Sequence, residues 1–144
     1  MKQINVIMKS LLILFLISGC SVSEDKKQAE QLSSKLFASI KKGDFKKAMK
    51  FYSKDFFKQT SRAEWTSILK NLKYKLGSLQ SYELVTWRVS KQAHTSGTGT
   101  FISLRYKVIY KKYKATEDLA IFKPIGGSPL IVGHNINSKG LLVE

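Results

Sequence analysis

Few residues in this chain are of a type that could do chemistry, and they lie far apart in sequence. His134 falls in the alternating run 130–137, where a period of two places it with Leu130, Val132 and Ile136 on an apolar face. An imidazole there is either a general base tuned by burial or a histidine satisfied by its neighbours. Glu83 shares a strand face with Val85 and Trp87, Asp118 opens a later strand, and Tyr106 offers a phenolic donor. A pocket enzyme of isomerase or dehydratase type would pair His134 with Glu83 or Asp118. A pocket without chemistry would be lined by Trp87, Tyr106 and His134. Other chemistries have less support. The two histidines, His94 and His134, form no close pair and no thiol stands near them, so no metal is expected. No serine sits in a nucleophile elbow, and Gly97 and Gly99 lie between strands with no helix following, which reads as a hairpin loop and not a phosphate cradle. No cofactor is expected.

Cys20 is the only cysteine, and its surroundings assign it a different task. Lys2 and Lys9 precede the apolar run 11–17, which ends in small residues, the layout of a secretory signal peptide. A spanning helix needs about 20 apolar residues, and the charged stretch 21–27 cannot extend the run. The sequence Ile17-Ser18-Gly19-Cys20 resembles the bacterial lipoprotein box. That resemblance implies cleavage before Cys20, a diacylglyceryl thioether on its sulfur and an acylated amino group, making Cys20 an anchor and not a nucleophile. Two or three chains hold firmly where one binds marginally. The expected organisation is a signal peptide over 1–19, a lipidated tether over 20–28 and a single domain over 29–144. Ser21 stands where an aspartate would signal inner-membrane retention in Gram-negative lipoproteins, so the resemblance implies export to the periplasmic side of the outer membrane in such a cell.

Removing residues 1–19 from the 144 leaves 125, enough for one core. The formal charge is +15, from 25 lysines and arginines against 10 acids, and nearly all the bases are lysine. Only Arg62, Arg88 and Arg105 could grip phosphate bidentately, and export removes nucleic acid from the expected partners. Anionic lipids or envelope polymers remain. Lys46, Lys47, Lys50 and Lys54 share one side of an amphipathic stretch and are the candidate anion-binding residues.

Element order sets the fold class. Ala29, Leu32, Leu36, Phe37 and Ile40 recur at helical spacing behind Ser23 as N-cap, with Gly43 as the stop. Asp44 caps a second helix whose apolar side is Phe45, Ala48, Met49, Tyr52 and Phe56. Ser61 and Glu64 make a capping box before a third, with Trp65, Ile68, Leu69, Leu72 and Leu76 in its stripe and Gly77 at its end. Beyond Gly77 the period becomes two, predicting strands over 79–91, 101–111, 117–123 and 130–137 and a tail over 138–144. The first has Val85, Trp87 and Val89 on one face with Leu84, Thr86 and Arg88 on the other. Three helices followed by about four antiparallel strands predict an α+β fold, with the helices packed on one face of a curved sheet.

From Ala29 onward this order resembles the nuclear-transport-factor-2-like, or cystatin-like, superfamily. The words that carry the resemblance are Lys42-Gly43-Asp44-Phe45-Lys46-Lys47-Ala48 with Phe51-Tyr52-Ser53-Lys54-Asp55-Phe56, and the ending Ile131-Val132-Gly133-His134-Asn135-Ile136. The resemblance implies a cone of helices and bent sheet, which in that superfamily houses isomerases and dehydratases as well as non-catalytic binding domains. The expectation is a membrane-anchored, non-catalytic binding or assembly module with an envelope protein, anionic lipid or polymer as partner. The pocket enzyme is the alternative.

Overall fold

Residues 2–94 and 97–143 are described by a computed structural model, with side chains over 21–93 and 97–143. Helix α1 spans Lys2–Lys42. Its stripe of Ala29, Leu32, Leu36, Phe37 and Ile40 is buried as the spacing predicts. At its end Gly43 takes φ +74° and returns its N–H to Ile40 O, while Asp44 N reaches Ser39 O, closing the last turn. The stretch assigned to a tether is already helix: Ser23 lies within α1, and Asp25 is buried with Lys123 Nζ at 2.7 Å from its carboxylate. Among the described residues no helix is long and apolar enough to cross a membrane.

The second expected helix is broken in two. Helix α2 covers Phe45–Ala48, a 3₁₀ turn covers Met49–Phe51, and α3 covers Phe56–Gln59. Between them Tyr52 is extended, at φ −95° and ψ 146°, and bridges to Ile131. Ser53 N donates to Ile131 O at 2.8 Å, and Ser53 Oγ accepts from Phe56 N to start α3. The apolar spacing survives because Ala48, Met49, Tyr52 and Phe56 all still face the core. Helix α4 spans Arg62–Leu76 and begins with the expected capping box. Hydrogen bonds from the Ser61 backbone and hydroxyl hold the Glu64 carboxyl below its ordinary pKa. Gly77 ends α4 at φ +86°, where a Cβ would also press on Lys111 Cβ at 2.9 Å.

Strands β1 (Leu79–His94), β2 (Gly97–Tyr110), β3 (Lys114–Pro124) and β4 (Leu130–Asn137) form an antiparallel meander in the order β1-β2-β3-β4. The result is α+β, with four helices packed against an open four-stranded sheet. One face meets the helices through Ile102, Leu104, Tyr106, Val108, Leu119 and Ile121.

Register steps at Gln80 and Val85 in β1 and at Val132 in β4 interrupt strict alternation. In β1 the register steps between Leu84 and Thr86, leaving Val85 as the extra residue. Leu84 opposite Tyr106, Trp87 opposite Leu104 and Val89 opposite Ile102 therefore share the helix side, while Thr86 and Arg88 look outward. In β4 the step falls at Val132, so Ile131 and His134 point to the core and Leu130, opposite Phe122, lies on the outer face.

Candidate functional site

The site is built where three elements meet: the break at Tyr52, the middle of β3 and the bulged strand β4. Alternation along Ala115, Glu117, Leu119 and Ile121 turns Glu117 into the core, and the step at Val132 turns His134 toward it. Their side chains are both 0% exposed, and His134 Nε2 lies 2.8 Å from Glu117 Oε2. His134 Nδ1 lies 2.8 Å from Tyr52 Oη, and Tyr110 Oη donates to Glu117 Oε1. One proton arrangement satisfies the whole row. Tyr52 O–H donates to Nδ1, Nε2–H donates to one carboxylate oxygen, and Tyr110 O–H donates to the other. Bonds in such a row polarise one another in the low-dielectric interior.

Aromatic packing encloses the row. The Trp65 ring stands edge-on to His134 at 5.4 Å and near Tyr52 at 5.9 Å between centroids, and Phe56 fills the next position. Burial pushes the Tyr52 hydroxyl pKa well above its usual value. The Trp65 indole N–H nearby opposes that rise and the Glu117 charge adds to it. That N–H is not in full hydrogen-bond geometry with any acceptor and is buried without a partner. Tyr110 is raised by burial first, then by the charge and hydrogen bond of Glu117. Tyr106, packed on Phe37 and Tyr82, is pushed up to about 12 by burial, with the Ser33 hydroxyl opposing.

Two depressions flank this row. One, of about 410 Å³, lies between α4 and β4, where Trp65, Leu72, Ile136 and Leu141 make an apolar wall and Asn71 and Lys75 a polar rim. Ile68, expected in the buried stripe of α4, is 43% exposed and lines this depression instead. The other, of about 720 Å³, lies on the outer face of the sheet. Its floor includes the small residues Ser103, Ala120 and Gly133, and its sides carry Arg88, Arg105, Asp118 and Asn135. Arg105 grips Asp118 through two bonds of 2.6 and 3.0 Å, which raise the guanidinium pKa.

The residues singled out in the sequence are thus dispersed. His134 finds neither of its expected acids: Glu83 is exposed on the outer face opposite Lys107, and Asp118 is on that face with Arg105. Trp87, Leu104, Leu119 and His134 form one cross-strand row. Trp87 and His134 therefore sit three strand spacings apart, about 14 Å. Trp87 is 49% exposed with Lys26 Nζ over its ring; Trp87 and His134 both border the depression of about 720 Å³ on the sheet, which Tyr106 does not line. Lys46, Lys47 and Lys50 come together around a depression of about 320 Å³ with Asp44 and Phe51, and Lys54 is exposed beyond the break. Among the described residues no cluster of three or more His, Cys, Asp or Glu side chains could hold a metal. Cys20 lies within α1, and its side chain is outside the described ones.

Comparison with known families, with curated proteins and with solved structures finds no match.

Glu117, Tyr52 and Tyr110 are not among the residues that the sequence pattern marks for acid–base chemistry. Glu117 carries its own signal, being the one carboxylate flanked by Ala115, Leu119 and Ile121 at a spacing of two. Tyr52 and Tyr110 were legible as buried but not as partners, because their meeting depends on the break at Tyr52.

Proposed function

We propose that this chain is a lipid-anchored envelope protein whose α+β body, of nuclear-transport-factor-2-like type, is a binding or assembly module without catalytic activity. The observation that carries the non-catalytic reading is the saturation of His134. Both ring nitrogens are engaged, one by Tyr52 and one by Glu117, and the side chain is 0% exposed. A general base needs a nitrogen within hydrogen-bond reach of a substrate proton, and this imidazole has none to offer. The Tyr52–His134–Glu117–Tyr110 row serves instead to tie the broken helical segment to β3 and β4, so that the body presents its surfaces rigidly.

The anchor reading is supported by Ile17-Ser18-Gly19-Cys20 after a short apolar run. Labelling cells with radioactive palmitate tests it. The wild-type protein takes up label and sediments with membranes, and Cys20→Ala does neither. A labelled Cys20→Ala protein refutes the anchor. Crosslinking in intact envelopes tests the module: a discrete adduct is expected, while substrate turnover that depends on His134 would restore the isomerase or dehydratase alternative.

A second reading, an anion-binding role for Lys46, Lys47, Lys50 and Lys54, is favoured by the gathering of the first three around one depression. Along α1, residues 21 to 42 span about 32 Å of helix, so this patch lies far from the anchored end. Its partner would be an envelope polyanion and not the anchoring bilayer.

A further inference from the structure

Resting on the lipid anchor just proposed, we infer that one end of the body, the end bearing the turn between β3 and β4, lies against the phospholipid surface, with Ile125 entering the headgroup region. Helix α1 runs uninterrupted through residue 20 into the core. The five residues from Cys20 to Asp25 therefore advance only about 8 Å along its axis. No slack chain separates the acylated residue from the folded body. The first described turns are also clamped to the sheet. Asp25 is buried and held by Lys123 at 2.7 Å, and Lys26 Nζ lies 5.2 Å from the centre of the Trp87 ring.

Those contacts choose which end of the sheet faces the lipid. Lys123 is the penultimate residue of β3, and Ile125 follows two positions later at the turn, 82% exposed, with its N–H held by Thr98 O at 3.3 Å. A single exposed isoleucine is ordinary on a protein surface. This one stands where the clamped helix must approach the membrane, and an apolar side chain there gains from burial at the acyl boundary.

The sequence holds no acid between Glu83 and Glu117 or between Asp118 and Glu144, so the hairpin joining β1 to β2 and the turn after β3 add no carboxylate of their own; Lys91 is exposed there, while Lys123 is paired with Asp25 of α1 and Glu24 is exposed beside it. Basic residues close to an anionic leaflet are attracted to it. At the other end of the sheet, Lys112 Nζ donates to Tyr74 O and its ammonium lies 5.8 Å from the centre of the Tyr74 ring. Tyr74 is 80% exposed.

The experiment uses the full-length acylated protein reconstituted into phosphatidylethanolamine–phosphatidylglycerol vesicles. With the Cys20 sulfur in a thioether, Ile125→Cys supplies the only thiol, which is labelled with an environment-sensitive bimane, and Tyr74→Cys serves as the distal control. Emission at position 125 is expected to shift to the blue and to be quenched by nitroxide-bearing lipid, while emission at position 74 does neither. Equal quenching at both positions, or none at 125, overturns the orientation while the anchor stands. Labelling of the protein that carries no introduced cysteine means a free Cys20 thiol, and then the anchor fails and the orientation with it.

Discussion

Replacing His134 by leucine is expected to cost this protein a large share of its stability, and the structure gives the size of the loss. The imidazole joins two buried groups, Tyr52 Oη and Glu117 Oε2, each at 2.8 Å, and neither has solvent to turn to. Leaving a buried polar group unsatisfied costs about 1–3 kcal/mol, and more if it is charged. Two such groups give roughly 2–6 kcal/mol, against a total stability on the order of 5–15 kcal/mol. The assay is urea unfolding followed by tryptophan emission, since Trp65 packs on both His134 and Tyr52. With a slope of about 2 kcal/mol per molar urea, the midpoint should fall by about 1–3 M. The cycle with Tyr52→Phe is the sharper part of the test. Tyr52→Phe alone strands Nδ1 and His134→Leu alone strands the Tyr52 hydroxyl, whereas the double variant strands only the Glu117 oxygen. The double variant should therefore be less destabilised than the sum of the singles by the cost of two stranded groups, Nδ1 and the Tyr52 hydroxyl, roughly 2–6 kcal/mol. Additive costs, or a His134→Leu loss under about 1 kcal/mol, would refute the reading of this row as one connected network.

Three further outcomes follow from the same geometry. Tyr52, Tyr106 and Tyr110 all have pKa values raised above those of the unfolded chain, chiefly by burial, with Tyr106 at about 12. The folded state then holds protons that the unfolded state releases. Stability is fully present below pH 10 and falls as pH rises above it, by about 1.4 kcal/mol per pH unit for each such tyrosine; a flat urea midpoint between pH 9 and 11.5 would contradict this. A Cβ at Gly140 would collide with the Tyr113 ring and a Leu76 methyl, so Gly140→Ala should lower stability by about 1–3 kcal/mol through overpacking, read as a fall in melting temperature. Binding of a soluble polyanion should weaken steeply between low and physiological salt and vanish when Lys46, Lys47 and Lys50 are reversed to glutamate; binding that ignores both would remove the lysine patch as its site.

How far the sequence could be read depended on whether neighbours in the chain or distant partners set the outcome. The stripe of α1, the Ser61–Glu64 capping box and the glycine stops at Gly43 and Gly77 are local, and residue spacing alone exposes them. The inward faces of β2 and β3 are equally legible, because their burial alternates without a break from Ile102 to Val108 and from Ala115 to Ile121. In β1 and β4 the faces were legible only beyond the register steps, for Trp87 and Val89 and for His134 and Ile136. One extra residue at Val85 and one at Val132 reverse the alternation, and a bulge leaves no trace in a period of two. The break at Tyr52 was hidden for a related reason. Its apolar spacing fits a continuous helix, but pairing with Ile131 and a bond to His134, 82 residues away in the chain, pull it into an extended conformation.

Those hidden features bear directly on what the site can do. Strict alternation through β4 leaves His134 beside Leu130 and Val132, where it could serve as a general base or be satisfied by its neighbours. The bulge seats Ile131 in the core in their place and aims His134 at Glu117, and the broken helix delivers Tyr52 to the remaining nitrogen. The same two irregularities that defeat the pattern therefore consume the hydrogen-bonding capacity of this imidazole. Chemistry at His134 through Nδ1 would require the Tyr52 hydroxyl to leave it, stranding a buried phenol. A ligand entering the 410 Å³ depression between α4 and β4 would have to supply that cost before any proton moved. Binding at surfaces already formed carries no such cost, which supports the proposed binding or assembly role.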